Sequence, residues 1–245
     1  LTSVIEAVRE IRRTQEATNK SLAVIMAGHN GSGKSTFWRR TLADEFRIPL
    51  VNADRMMLSI LPEPDADGAL PEWASHLRDK NEDWMRVAQQ GVQGFVNYAM
   101  NAPVPFAMET VFSHWRPRPD GTVESKIDLI QNLQAASYFV VLVFVGLTNA
   151  DMSISRVATR VAQNGHDVPE QRLRDRFPRT QKAIAEAIKV ADASVLTDNS
   201  RDAAHAFTLC RTIISGTATY DIRDDATNPP PNAILGWLDV ICPRA

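Results

Sequence analysis

Gly28-His29-Asn30-Gly31-Ser32-Gly33-Lys34-Ser35-Thr36 is the stretch from which the rest of the chain can be read. It follows the apolar run Leu22–Ala27 and precedes a segment with helical patterning, Thr36–Phe46. A strand, a glycine-rich turn and a helix in that order make a P-loop. The glycines at 28, 31 and 33 let the backbone turn tightly, so that successive N–H groups point at phosphate oxygens. The following helix N-terminus adds partial positive charge. In such a loop Asn30, Ser32 and Thr36 line the phosphates, Lys34 reaches the β- and γ-phosphates, and the Ser35 hydroxyl can ligate Mg²⁺. The stretch therefore predicts binding of a nucleoside triphosphate.

Outward from this loop the chain alternates strand and helix. Ile48–Asn52 reads as a second strand leading to Asp54, and Val104–Met108 as a third, ending at Glu109-Thr110. Tyr138–Val145 is a near-continuous apolar run, as expected of a central strand covered on both faces. Ala193–Thr197 is a fifth strand, and Phe207–Ile214 has the character of another. Helices are predicted over 2–20, with Val4, Ile5, Val8 and Ile11 in one stripe, and over 55–61, 82–100 and 123–136. The stripe on the first helix suits either packing on the sheet edge or binding a partner. Residues 62–81, with Pro62, Pro64, Gly68 and Pro71, read as an irregular loop. Ile234–Val240 reads as a short docking helix after a turn at 228–231.

Bulk composition narrows the classes. A chain of 245 residues fits one domain with appendages, and 44% hydrophobic with 23% charged residues is ordinary for a globular protein. A net charge of −2 argues against a general nucleic-acid or membrane surface. No apolar run is long enough for a membrane span, and nothing at the N-terminus resembles a signal. Cys210 and Cys242 form no disulfide framework or metal spacing, so the expected compartment is reducing and cytoplasmic.

A P-loop alone does not separate GTPases, motor ATPases and small-molecule kinases. Neither Leu147–Asp151 nor Thr197–Ser200 supplies the Asn-Lys-x-Asp with which GTPases read guanine. The central apolar strand ends in Val145-Gly146-Leu147, where a motor ATPase would carry an acid. Transfer of phosphate to a small acceptor fits better. Asp54 lies 20 residues after Lys34 at a strand end, where it opens onto the crevice beyond the strand C-termini. A carboxylate there can orient or deprotonate an attacking hydroxyl, or can simply cap the helix that follows. Glu109, at the next strand end, can hold an acceptor hydroxyl beside Thr110, sit beyond the water shell of Mg²⁺, or form a structural ion pair.

Basic residues then cluster. Arg156, Arg160, Arg172, Arg174, Arg176, Arg179 and Lys182 outnumber Asp167, Glu170 and Asp175 over 156–182, and 164–169 breaks the helix into a flap. This is the anatomy of a lid whose arginines screen charge on a moving phosphoryl group. Arg156 with Arg160, and Arg172 with Arg176, share helix faces. Glu170 is placed to pair with Arg174 and Asp175 with Arg179, so Arg156, Arg160 and Arg176 are the candidates for catalysis, with Pro178 expected to kink the second helix. His166, in the flap, is a candidate contact to phosphate or acceptor. The reading is an α/β, three-layer P-loop kinase fold with a central, mostly parallel sheet of about five strands and an arginine-bearing lid. One domain spans 1–245: an N-terminal helix (1–20), a core (22–200) with its lid near 156–182, and a C-terminal appendage (205–245).

Gly28–Thr36, Val51-Asn52-Ala53-Asp54, Phe106-Ala107-Met108-Glu109-Thr110, Arg156-Val157-Ala158 with Arg160-Val161, Gly165-His166 with Val168-Pro169, and Asp198-Asn199-Ser200 together resemble the zeta-toxin family of P-loop kinases, especially its short chromosomal members. The likeness spans about residues 22–200. It implies ATP and Mg²⁺, with phosphate passed to a hydroxyl of a nucleotide-linked acceptor; UDP-N-acetylglucosamine serves the toxins proper, and a related effector modifies NAD. Lys34 and Ser35 match the family's phosphate and metal positions, Asp54 its general base, Glu109 its acceptor-binding glutamate and Arg156 its first lid arginine. A second lid arginine stands three residues before a proline in the longer toxins. Here His166 takes that place before Pro169, leaving Arg160 or Arg176 to substitute. Family members are often restrained by an antitoxin, so the expected partners are a small-molecule acceptor and an antitoxin protein, without nucleic acid or membrane. A metabolite kinase with no toxin role and a nucleotide-gated protein-binding module remain the alternatives.

Overall fold

Alternating side chains of the central strands pack on opposite faces, and this builds three layers. The computed structural model describes residues 3–163, 165, 167–226 and 229–244. Helix α1 (Val4–Glu16) starts in a capping box between Ser3 and Glu6 and buries Ala7, Val8 and Ile11. It lies against the strand pair at one side of the sheet and stops short of the predicted Lys20, while Ile5 of the predicted stripe is left exposed. Strand β1 (Ser21–Gly28) feeds the glycine loop, and α2 (Lys34–Phe37) continues through a π-helical turn (Trp38–Leu42) into α3 (Ala43–Phe46).

Short strand β2 (Leu50–Val51) precedes α4 (Ala53–Ser59). Helices α5 (Glu72–Lys80) and α6 (Glu82–Asn101) lead to β3 (Phe106–Thr110). Helix α5 lies inside the stretch predicted as a loop. The breakers all fall before it, and Pro71 stands at its N-cap, where a fixed φ costs nothing. Strands β4 (Trp115–Pro117) and β5 (Val123–Ser125) form a small hairpin, so the helix predicted from Val123 begins only at α7 (Ile127–Ala135). Strand β6 (Tyr138–Gly146) is buried along its whole length. Helices α8 (Ala150–Ala162) and α9 (Glu170–Ala187) follow, and α9 runs on through Pro178. Strands β7 (Ala193–Asp198), β8 (Thr208–Ile214) and β9 (Thr217–Asp221) and helix α10 (Asn232–Ile241) complete the described chain.

The main sheet has seven strands in the order β2-β3-β1-β6-β7-β8-β9, against the five or so predicted. β2, β3, β1, β6 and β7 are parallel, while β8 and β9 extend the sheet antiparallel. Leu22, Val24 and Met26 pack with Phe37, Leu42 and α1 on one face; Ala23, Ile25 and Ala27 pack with α6, α7, α9 and α10 on the other. Residues beyond 205 are therefore woven into this sheet and its cover: Trp237 of α10 lies buried against Phe144 and donates its indole N–H to Asp198 at 3.0 Å. Among the described residues no helix is long and apolar enough to cross a membrane. Because β1, β3, β6 and β7 run the same way, their C-terminal ends open together. Connections leave β1 toward β3 on one side and β6 on the other, the switch point at which open α/β sheets hold ligands.

Candidate active site

The glycine loop sits at that point and is clamped from two elements far away in sequence. Ser153 of α8 donates its hydroxyl to the Asn30 carbonyl at 2.7 Å, and Asn199, just beyond β7, donates its amide to the Ser32 carbonyl at 2.9 Å. Such close approach needs missing side chains. At Gly31 (φ +70°) a Cβ would stand 3.0 Å from the Arg156 Cβ, and at Gly33 (φ +91°) it would meet the Asn199 amide at 2.7 Å. Lys34 is buried, and its ammonium donates to the Gly28 and His29 carbonyls at 3.1 and 3.0 Å. Burial pulls its pKa down, while Glu109 and then Asp54 pull it back up. Asn30, Gly31, Gly33, Lys34, Ser35 and Thr36 all line one cleft; Gly28 and the fully buried Ser32 shape the loop from beneath.

Two strand-end acids meet this loop differently. Glu109 Oε2 accepts from the Ser35 hydroxyl and from the Asn52 amide, both at 2.7 Å, and Oε1 lies 4.0 Å from the Lys34 ammonium. It is thus turned toward the loop. The cap of α4 is Asn52, whose side chain accepts from the Arg55 N–H. Capping therefore falls to Asn52, and Asp54, exposed in the first turn, lines the cleft where its charge is felt by both Lys34 and Arg176. Thr110 lines it too, its hydroxyl accepting from the Phe112 N–H at 3.3 Å.

Arg156 and Arg160 from α8 and Arg172 and Arg176 from α9 converge on the same cleft. Burial lowers the pKa of Arg156, offset by Asp198, and that of Arg176, offset by Asp54. Arg174 is held outside by Glu170, as its spacing predicts, and also by Asp151. The predicted pair of Asp175 with Arg179 is not formed: the guanidinium donates to the Asp175 backbone carbonyl, and the carboxylate accepts from Gln171. His166 lies outside the described residues. Sequence reading missed Ser153 and gave no role to Asn199, and it passed over Arg172 in favour of its face-mate Arg176.

It also passed over His29. This ring is 3% exposed and stacks on Phe177 of α9, with centroids 3.8 Å apart and planes 10° from parallel. Burial, assisted by Lys34, depresses its pKa to about 3. The unfolded chain protonates His29 near pH 6.5, so folded-state stability is lost as pH falls from there toward 3. His29→Phe keeps the stack and removes the proton site. Urea titrations should show wild type losing about 2 kcal/mol relative to His29→Phe between pH 7 and pH 5. Parallel pH profiles for the two proteins would mean that His29 is hydrated.

The cleft encloses about 1250 Å³, ample for a nucleotide and a second molecule. A glycine loop of the form that grips phosphates shares this cleft with four arginines, and the chain is a P-loop phosphotransferase. Its sequence matches the zeta toxin family over residues 5–204, and the chain belongs to that family. No curated protein sequence matches it. Among solved structures it is similar to one from the PezAT chromosomal toxin-antitoxin system of Streptococcus pneumoniae (12% identity, 98% of this chain and 88% of that one, TM-score 0.54). It is similar also to the AvrRxo1-ORF1:AvrRxo1-ORF2 complex with sulphate ions (14%, 91% and 68%, 0.59) and to that complex with ATP (13%, 88% and 67%, 0.58). At these identities the likeness is one of fold.

Proposed function

We propose that the chain transfers the γ-phosphate of ATP to a hydroxyl of a sugar nucleotide of the UDP-N-acetylglucosamine kind, or of another nucleotide-like small molecule, as the toxin of a toxin-antitoxin pair. The observation that carries the chemistry is the sharing of one cleft by Lys34, Asp54 and the arginines of α8 and α9. Lys34 and the loop amides hold the β- and γ-phosphates. Asp54 accepts the proton of the attacking hydroxyl and aims its oxygen at the phosphorus. Arg156, Arg160 and Arg176 stabilise charge on the equatorial oxygens as the bond to the leaving diphosphate breaks.

The Ser35 hydroxyl and Glu109, 2.7 Å apart, offer hard oxygens of the kind Mg²⁺ prefers and would hold it there. Bound there, Mg²⁺ would neutralise charge on the phosphates. The hydrogen bonds that turn Glu109 toward Ser35 favour this place for it over direct contact with the acceptor. The toxin role is supported by family membership and by likeness in fold to structures of toxin-antitoxin and related complexes. An untargeted extract incubated with the protein, ATP and Mg²⁺, read by mass spectrometry, should yield a singly phosphorylated nucleotide-like metabolite. Tight ATP binding with no phosphorylated product would instead favour a nucleotide-gated protein-binding module.

A further inference from the structure

Besides the glycine loop and the arginine helices, walls of the cleft come from α6, the β4–β5 hairpin and the start of α7. Their charged side chains are largely committed. Glu124 is held by His114 at 2.8 Å, Asp128 by Arg118 at 2.7 Å, and Arg86, well exposed, by Asp83 at 2.7 Å. Lys126 is different. It half-buries its side chain in the cleft, and among the described residues no carboxylate or carbonyl accepts from its ammonium. It also stands at the N-cap of α7, the end of a helix where a positive charge is disfavoured. Burial alone holds its pKa below the ordinary lysine range, with no acid restoring it. A cation placed in a cleft at a cost, with no counter-charge, is arranged for an anion that arrives with a ligand.

We propose that Lys126 binds an anionic group of the phosphoryl acceptor, a phosphate, diphosphate or carboxylate distant from the hydroxyl that reacts. The inference rests on the kinase reading above and extends it: Lys126 selects acceptors by charge. The arginines of α8 and α9 and Lys34 attend the donor's triphosphate, so this ammonium is the one left for the second substrate on these walls. Ser113, Gln89 and Gln93 also line the cleft.

The test uses the full chain with the acceptors that wild type phosphorylates in a metabolite extract. For each, KM is compared among wild type, Lys126→Met and Lys126→Arg, with ATP saturating. Lys126→Met should raise acceptor KM about tenfold or more, the scale of one charge-assisted hydrogen bond, with KM for ATP unchanged. Lys126→Arg should restore most of it, which loss of packing alone would not allow. Melting temperature should stay level or rise, because no protein partner is lost and a disfavoured charge is removed; should Lys126→Met fail to fold, Lys126→Gln replaces it. Acceptor KM unchanged in the neutral variants, or wild-type acceptors that all lack an anionic group, would overturn the inference and leave the kinase standing. A wild type that phosphorylates nothing would remove the kinase reading, and this inference with it.

Discussion

Lys34→Ala is expected to lower phosphoryl transfer by about a thousandfold or more while the protein stays folded. The ammonium lies within the glycine loop, held by the Gly28 and His29 carbonyls and 4.0 Å from Glu109, and in a P-loop it is this charge that reaches the β- and γ-phosphates. Its removal should not collapse the site. Glu109 keeps its hydrogen bonds from Ser35 and Asn52, and the loop keeps its clamps from Ser153 and Asn199. Burial already disfavours the charge, so folding stability should change little or even rise. Single-turnover transfer read by mass spectrometry, beside a thermal melt, separates the two quantities. Transfer at the wild-type rate in a folded Lys34→Ala protein would remove the mechanism.

Asp54→Asn should lower kcat by about a hundredfold to ten-thousandfold with ATP binding retained. The reasoning is one of sign. The wild-type carboxylate lies close enough to bias both Lys34 and Arg176, so its loss leaves the cleft more positive. ATP should therefore bind as well as before or slightly better, while the attacking hydroxyl loses its proton acceptor. Helix α4 should survive, because its cap is Asn52 and the substitution costs only about half a kcal/mol of favourable charge at the helix start. Calorimetric ATP titration and acceptor kinetics on one preparation check both halves. Falling ATP affinity in step with kcat would show Asp54 to be part of the donor site. In cells, the wild type and not this variant should arrest growth if the chain acts as a toxin.

Much of the fold was legible because local pattern and global structure agree. Leu22–Ala27 and Tyr138–Val145 are apolar at every position, and both became central strands buried on two faces. The elements that were misread are those whose signal is weak or masked. Helix α5 hides behind a run of prolines and a glycine that belong to the preceding turn. Strands β4 and β5, three residues each, are too short for alternation to declare itself. Strand β9 adds to the sheet edge beyond the point where the alternating strand–helix rhythm ends, next to β8, which Phe207–Ile214 announces.

By itself the sequence determined the loop with its lysine and serine, and the strand-end acids, because a P-loop and a strand terminus are properties of a few consecutive residues. It also determined the family, through motifs held in a particular order. Only the tertiary structure decided which of these groups meet and which stay apart. It turned Glu109 toward Ser35, released Asp54 from capping, stacked His29 on Phe177, and left Lys126 without a counter-charge among the described residues. The hydrogen bond that turns Glu109 spans 74 residues, and the clamps on the loop span 123 between Asn30 and Ser153 and 167 between Ser32 and Asn199. No local periodicity records a hydrogen bond of that span.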